Sequence, residues 1–206
     1  MYISPEFRET DGAAIRETIR AARLANLVTV TASGLIATPL PLFYDEAEGA
    51  LGALYGHIAK ANTQWQAPVM GEALVIFMGP DAYITPSWYP TKQETGKVVP
   101  TWNYVAVHAY GTIEFFTEEE RLLDVVTRLT TLHESSRPEP WAVTDAPPDY
   151  IKSQLRSVVG LRMPISRLDA KRKMSQNRSK QDRDGVAKGL AESQDIRDNA
   201  VSRLIV

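Results

Sequence analysis

The stretch Ala37-Thr38-Pro39-Leu40-Pro41-Leu42 carries the strongest information about the fold. It lies inside a longer run, residues 35–44, whose apolar and β-branched side chains are typical of a strand. Pro39 and Pro41 are two residues apart, so the N–H groups they lack belong to the same side of the strand, and that side cannot pair normally. The run therefore predicts a strand with an open side. Two interpretations remain: an ordinary edge strand, or a split where a flat ligand meets the backbone.

Further strand-like runs precede and follow this stretch, at residues 27–31, 50–56, 73–78, 104–116 and 158–168. Turns of hairpin length separate several of them, and hairpins join antiparallel strands. The strands are numerous enough to close a small barrel. A Rossmann fold is disfavoured because the sequence has no β-helix-β alternation with a glycine fingerprint. The sequence therefore predicts a mainly β protein, with an antiparallel barrel and flanking helices.

Helices are predicted towards both ends of the chain. Asp11 can cap a first helix, and a short helix fits residues 61–69. The strongest helical pattern covers residues 117–134, where Thr117 and Glu120 form a capping box. Another short helix begins at Pro147-Pro148.

The charged C-terminal segment is predicted to be an exposed helix, because its apolar positions are sparse: Val186, Leu190 and Ile196. We therefore divide the chain into a domain over residues 1–180 and a helical extension over residues 181–206.

Composition excludes several classes of protein. Hydrophobic residues make up 44% and charged residues 23% of the 206 residues, which is typical of a globular chain rather than a disordered one. Cysteine is absent, so disulfides, thiolate zinc sites, Fe–S clusters and a cysteine nucleophile are excluded. The sequence has no signal-peptide pattern and no apolar run of membrane-spanning length, so a cytoplasmic protein that binds no membrane is expected.

A basic cluster stands out against a net charge of −2, which by itself does not favour nucleic-acid binding. The cluster could be a solvated face, a phosphate site or a DNA contact. It consists of Lys171, Arg172, Lys173, Arg178, Lys180 and Arg183.

Three segments could hold a ligand. Residues 57–62 join a strand to the short predicted helix, whose free N–H groups and Lys60 suit a phosphate, while Asn62 and Gln64 could bond hydroxyls. Residues 86–89 and 100–104 pair aromatic rings with hydroxyl groups and Asn103, which suits a planar ligand, a core or a dimer interface. Residues 173–178 place two cations around polar side chains, as a phosphate and polyol site or a surface loop would. No metal site is predicted, because His57, His108 and His133 lack ligand spacing.

Taken together, the motifs resemble the PaiB-like family of FMN-binding negative transcriptional regulators. The matching stretches occur in the family's order over nearly the whole chain: residues 1–3 (MYI), 37–42 (ATPLPL), 56–62 (GHIAKAN), 77–80 (FMGP), 83–89 (YITPSWY), 99–104 (VPTWNY), 107–111 (VHAYG) and 173–177 (KMSQN). Lys60 and Thr63 stand where the family often has Arg and Pro. The first change keeps the cation but loses the bidentate fork.

The resemblance implies an FMN-binding split β-barrel, related to pyridoxamine-phosphate-oxidase-like proteins, with FMN at the interface of a homodimer. By motif position, Lys60 and adjacent backbone would hold the FMN phosphate, with support from Lys173 and Ser175. The other cofactor-binding residues implied at ribityl, phosphate or ring positions are Thr38, Pro39, His57, Ala59, Asn62, Trp102, Tyr104, Gln176 and Asn177.

Three functions are compatible with these residues. The resemblance favours an FMN-binding regulator, whose DNA contact would come from the basic C-terminal segment or through another protein, since the net charge does not support direct binding. An FMN-dependent oxidoreductase or flavin reductase is the second, for which His57, His108 and Tyr104 are the nearest catalytic candidates. The third is a haem-binding or other non-flavin module with His57 or His108 as ligand.

Overall fold

The structure is a computed structural model that describes residues 1–205. Its strands are β1 (Ala25–Thr31), β2 (Gly34–Leu40), β3 (Phe43–Asp45), β4 (Ala53–Ala59), β5 (Ala73–Ile84), β6 (Thr101–Gly111), β7 (Glu114–Phe116), β8 (Val158–Pro164) and β9 (Arg167–Lys173). Its α-helices are α1 (Gly12–Ala21), α2 (Thr91–Thr95), α3 (Glu119–Glu134), α4 (Pro148–Leu155), α5 (Lys180–Ala191) and α6 (Ile196–Ser202). Short 3-10 helices cover Pro5–Phe7, Thr63–Trp65, Pro86–Trp88 and Val143–Asp145.

The strands form two antiparallel sheets, which confirms the predicted mainly β class with flanking helices. One has the order β2-β1-β5-β6-β9 and the other the order β3-β4-β8-β7. Pro39 of β2 is paired with Asn26 of β1, and β2 is an edge strand of its sheet. The strand with an open side is therefore confirmed, since proline is tolerated where no further strand needs its N–H.

The chain divides into two compact units. Unit 1 comprises residues 1–21 and 78–107 and the segment from residue 169 to the end of the described chain. Unit 2 comprises residues 22–77 and 108–168. The predicted division at residue 180 stays a prediction, and its last residue, Val206, lies outside the described residues. Within residues 1–205, no helix combines the length and apolarity needed to cross a bilayer.

In unit 2, helix α3 packs on one face of the four-stranded sheet. Leu122, Val125 and Leu129 of α3 form one buried cluster with Phe43 and Phe116. Side chains alternate across a strand, so the buried residues Leu54, Gly56 and Ile58 of β4 face one way and Tyr55 and His57 the other. Tyr55 packs against the α3 cluster. The face of β4 that carries Tyr55 and His57 is therefore the face that the helices cover.

In unit 1, the C-terminal helices are part of a core. Val186 and Leu190 of α5 are completely buried, in a cluster with Ile84 and Tyr89. Asp182 fastens the start of α5, because its carboxylate accepts hydrogen bonds from the backbone N–H and the hydroxyl of Thr91. The prediction of an exposed helix is thus wrong for these two apolar positions, although Ile196 is exposed as expected.

Several predicted boundaries are also wrong. The run 35–44 ends as β2 at Leu40 and resumes as β3 in the other sheet, and the run 158–168 is divided in the same way between β8 and β9. An apolar run looks the same whether it continues in one sheet or turns into a second. The strand predicted over residues 73–78 continues through Gly79-Pro80 to Ile84.

Two helix predictions need correction as well. The helix predicted over residues 61–69 is only the 3-10 turn Thr63–Trp65. Helix α3 begins at Glu119 after Glu118, without a side-chain capping bond, so the capping box from Thr117 is wrong.

Candidate functional site

A buried glutamine organises a polar cluster in unit 2, which we call the Gln64 cluster: Thr29, Thr38, Asn62 and Gln64. The Thr38 hydroxyl donates to Gln64 Oε1 at 2.6 Å and accepts from Asn62 Nδ2 at 2.9 Å. Gln64 Nε2 donates to Thr29 Oγ1 at 3.0 Å and to the Ile36 carbonyl at 3.3 Å. Asn62 Oδ1 accepts the Gln64 N–H at 2.9 Å and thereby caps the 3-10 turn. The predicted residues Thr38 and Asn62 are therefore held together, by a glutamine that is fully buried.

The segment predicted to present free N–H groups to a phosphate uses several of them internally. The Lys60 N–H donates to the Ser157 carbonyl at 2.8 Å, and the Asn62 N–H donates to the Ala59 carbonyl at 2.9 Å. Ala59 and Lys60 are exposed at the end of β4, and Pro39 is exposed on β2. Phosphate binding here would consequently depend on the Lys60 side chain more than on a helix N-terminus.

His57 lies on the opposite face of β4 from Ile58 and borders a separate cavity, the His57 cavity, of about 300 Å³. Apolar side chains form much of its wall: Val126, Val143, Ile151, Leu155 and Val158. Nδ1 of His57 is buried and has no hydrogen-bond partner within residues 1–205. Burial lowers the pKa of His57 because the charged imidazolium is poorly solvated there. Burial therefore favours the neutral form of His57, which lines a cavity that none of the Gln64 cluster residues borders.

We expect His57 to make the protein less stable in mild acid. Its folded-state pKa is lowered, so the unfolded chain takes up a proton first as pH falls below about 6.5, the ordinary histidine value. The free energy of unfolding should be at its full value above that pH and decline until the folded-state pKa is reached. Urea unfolding between pH 7.5 and 5 measures this dependence. A His57→Phe variant should lose part of it, and an unchanged slope would contradict the assignment.

A second candidate site lies in unit 1, in a pocket of about 130 Å³ that we call the Lys173 pocket. Lys173 Nζ donates to the Thr101 hydroxyl, and the buried Asn103 donates through Nδ2 to Ser175 Oγ at 2.9 Å. Asn177 and Arg178 also line the pocket. Ser175 has a φ of 63°, a left-handed conformation that turns the chain sharply after β9.

Positive charge in the Lys173 pocket is uncompensated. No carboxylate pairs with Lys173 or Arg178 within residues 1–205. Burial lowers the pKa of Lys173, and the charges of Lys171 and Arg178 act in the same direction against an opposing effect of Tyr104. A bound anion would relieve this penalty, since an opposite charge favours the protonated amine.

The predicted ring-binding residues are on the other face of β6. Trp102 and Tyr104 alternate with Thr101 and Asn103 along the strand and do not line the Lys173 pocket, although Tyr104 is close enough to Lys173 to act on the pKa of its amine. Trp102 is 53% exposed and lies edge-on to Tyr83, with 6.0 Å between ring centroids. The Tyr104 ring centroid is 5.2 Å from Lys171 Nζ.

Gln176 and Asn177 follow β9 and are exposed. Gln176 is used locally, because its side chain bonds the Met174 N–H and the Arg172 carbonyl.

A larger concavity in unit 2, of about 460 Å³, is lined by two arginines that are each paired with a glutamate. Arg162 pairs with Glu48, and Arg121 pairs with Glu114 at 2.7 Å. The Tyr55 hydroxyl donates a hydrogen bond to Glu48 Oε2. These pairs neutralise both arginines that line the concavity, so it offers no free cation to an anionic ligand, and we interpret it as structural.

The sequence predicted which types of residue form the candidate sites better than it predicted which residues lie next to one another. Lys173, Ser175 and Asn177 come together in unit 1, and Thr38 and Asn62 in unit 2. The organising role of Gln64 was missed, because nothing in the sequence marks that side chain as buried. Asn103 and Arg178 belong to the candidate segments 100–104 and 173–178 but not to the residues that the resemblance implied for FMN, and the structure places both in the Lys173 pocket.

Comparison with protein families gives a match over most of the chain. The family described as "Putative FMN-binding domain" matches residues 1–167. Protease synthase and sporulation protein PAI 2 of Bacillus subtilis is 33% identical over 183 residues, covering 88% of this chain and 85% of that protein. An uncharacterised protein of Emericella nidulans is 34% identical over 226 residues, covering 92% of this chain and 90% of the relative.

Solved structures show the same fold at low sequence identity. The flavocytochrome Anf3 from Azotobacter vinelandii matches with a TM-score of 0.60 at 12% identity, covering 84% of this chain and 72% of that chain. The FAD and heme binding protein from Mycobacterium smegmatis matches with a TM-score of 0.57 at 15% identity, covering 81% and 73%. These likenesses confirm the antiparallel split-barrel fold class.

Proposed function

This chain belongs to the family described as "Putative FMN-binding domain", and from that membership we propose that it binds FMN. The observation that supports the proposal most directly is the uncompensated positive charge of the Lys173 pocket. A phosphate monoester carries up to two negative charges and several strong acceptor oxygens. Lys173 and Arg178 supply cations, and Ser175 and Asn177 supply polar groups, in a space of about 130 Å³ that suits one phosphate group.

Lys60 supports the same proposal from unit 2. It is exposed at the end of β4, and within residues 1–205 no carboxylate pairs with it. The neighbouring Gln64 cluster fixes Asn62 and Thr38, whose amide and hydroxyl groups are of the kind that bond ribityl hydroxyls. When bound, FMN would supply the redox-active ring. The chain's own residues would bind the phosphate and polyol and orient the ring.

The first test is the visible absorption of the purified protein after addition of FMN and desalting. We expect a retained flavin spectrum, and its absence from a folded protein would remove the proposal. Lys60→Ala and Lys173→Ala should each weaken FMN binding about tenfold or more, because each removes a charge-assisted hydrogen bond. Lys152→Ala is the matched control, since Lys152 is an exposed lysine on α4 outside the candidate residues. Affinities equal to wild type in both test variants would contradict the residue assignment.

We also propose that the protein is a homodimer in which Trp102 and Tyr104 contact the flavin ring. The half-exposed Trp102 supports this, because a large exposed aromatic side chain is favoured at interfaces and on planar ligands. Analytical ultracentrifugation with and without FMN tests the dimer. A monomer at micromolar concentration would contradict it.

A regulatory role is the finer part of the proposal, supported by the PaiB-like motifs and by the relative whose name refers to protease synthesis and sporulation. DNA contact through the basic segment needs exposed cations. Lys171 is buried, however, and Arg172 donates to the Leu204 carbonyl. Lys180 is exposed and pairs at the surface with Asp184. Electrophoretic shifts of genomic fragments by wild type and by Lys180→Gln would test the contact, and identical shifts would contradict it.

A further inference from the structure

Both cations that line the Lys173 pocket lie over aromatic rings. Cζ of Arg178 is 4.9 Å from the centroid of the Tyr89 ring, and Nζ of Lys173 is 5.9 Å from the centroid of the Phe7 ring. Both rings are buried. A cation within about 6 Å of a ring centroid is attracted by the negative face of the ring. The two rings therefore hold the cations, and Arg178, at the shorter distance, is held more strongly.

A ring and a carboxylate differ in what they leave for a ligand. In unit 2, Arg121 and Arg128 also lie over rings, but each has a carboxylate partner at 2.7 Å as well, Glu114 and Asp45 respectively. Those carboxylates cancel the charge of the arginines. Arg178 has the ring without the carboxylate within residues 1–205. Because a ring carries no net charge, the full positive charge of Arg178 stays available to an anion.

The backbone of Arg178 is fixed from both sides. Its N–H donates to the Ser175 carbonyl at 2.9 Å, and its carbonyl accepts from Nη1 of Arg183 at 3.0 Å. The side chain is half-buried and lines the pocket. A fixed backbone and a ring under the guanidinium restrict the conformations of the side chain, so less conformational entropy is lost when an anion binds.

Tyr89 is a rigid support for this contact. It is 2% exposed and belongs to the buried cluster that includes Met174, Val186 and Leu190. Burial raises the pKa of the Tyr89 hydroxyl, and the positive charge of Arg178 opposes that effect. The electrostatic effect shows that the two side chains are close, and the raised pKa keeps the ring neutral at physiological pH.

We propose that Tyr89 is a positioning residue for the flavin phosphate, because its ring holds the Arg178 guanidinium in the Lys173 pocket as a free and oriented charge. The inference rests on the proposed FMN function and adds what selects the phosphorylated flavin over riboflavin, which has no phosphate. A guanidinium can bond a phosphate through two parallel N–H groups, so its orientation matters as well as its charge.

The test compares the affinities of the full chain for FMN and riboflavin, measured by titration of flavin fluorescence. Wild type should bind FMN at least about 100-fold more tightly, because each of the two cations contributes about tenfold. Tyr89→Leu should lower this ratio at least about fivefold, the loss expected for a partly buried cation–ring contact, and leave the riboflavin affinity within about twofold of wild type. Tyr89→Phe should keep the ratio, because it retains the ring and removes a hydroxyl that has no hydrogen-bond partner within residues 1–205.

Leu190→Ala is the matched control, since Leu190 is buried in the same cluster but does not line the pocket. It should destabilise the fold and keep the ratio. A fall as large as that of Tyr89→Leu would overturn the inference, because the loss would then reflect the stability of the cluster alone. An unchanged ratio in Tyr89→Leu would also overturn it and leave the FMN proposal standing. Equal binding of FMN and riboflavin by wild type would instead remove the phosphate site and the inference with it.

A second variant covers the case in which Tyr89→Leu does not fold. Arg178 is only half-buried, so Arg178→Lys should fold. Lysine keeps the charge but has neither the planar fork nor the same contact with the ring. The ratio should fall at least about fivefold, and an unchanged ratio would overturn the inference.

Discussion

Gly160→Ala should lower the free energy of unfolding by about 3 kcal/mol, at the upper end of what overpacking usually costs. Gly160 lies on β8 directly opposite His57 of β4. A Cβ at this position would be 2.2 Å from Cε2 and 2.4 Å from Cζ of Phe116. The Phe116 ring is 4% exposed and belongs to the cluster under α3, so it cannot turn aside cheaply. Urea denaturation of the purified variant measures the loss.

Gly12→Ala provides the matched control. Gly12 is the first residue of α1, and the atom nearest to a new Cβ is Nη1 of Arg16 at 3.1 Å, at the end of a flexible side chain. The change should be neutral or slightly stabilising, because alanine favours a helix more than glycine does by about 1 kcal/mol. A Gly160→Ala, Phe116→Leu double variant should be less destabilised than the sum of its single changes. Equal stability of the two alanine variants would contradict the assigned contact.

The sequence predicted those parts of the fold that depend on a few neighbouring residues. The proline at position 39 removes an N–H donor whatever surrounds it, and β2 is an edge strand. The apolar stripe of α3 repeats at helical spacing, and the helix is present. The prediction fails at Leu40 and Pro164, where the chain leaves one sheet for the other. Tertiary packing decides where a strand ends and the chain enters the other sheet. The two residues before and after each break carry no local signal for this change.

The candidate site shows the same limit at the level of side chains. Asn62 and Gln64 have the same functional group, yet Asn62 caps a turn while Gln64 is buried at the centre of a polar cluster. His57 was grouped with Lys60 because they are close in sequence. Strand alternation in residues 53–59 already places His57 with Tyr55, on the face away from Ile58, and this signal could have separated them. The family resemblance located the motifs but not the direction of each side chain.

Gln64→Leu should cost about 2–4 kcal/mol of unfolding free energy, the second large effect that we expect. Leucine fills much of the same volume but can neither accept from Thr38 nor donate to Thr29 Oγ1 and the Ile36 carbonyl. Thr29 and Gln64 are both 0% exposed, so water cannot readily replace the lost bonds, and each unsatisfied buried group costs about 1–3 kcal/mol. The loss is smaller than a simple sum because the burial of leucine is itself favourable.

Gln66→Leu is the control for this prediction, since Gln66 is an exposed glutamine two residues further along the chain. Its unfolding free energy should stay within about 0.5 kcal/mol of wild type. Thr38 and Asn62 would also lose the partner that holds them, so the side-chain NMR signals of Asn62 should broaden or shift in Gln64→Leu alone. This readout, like the unfolding measurement, is independent of FMN. If the two leucine variants were equally stable, the buried hydrogen bonds of Gln64 could not be what orders this part of unit 2.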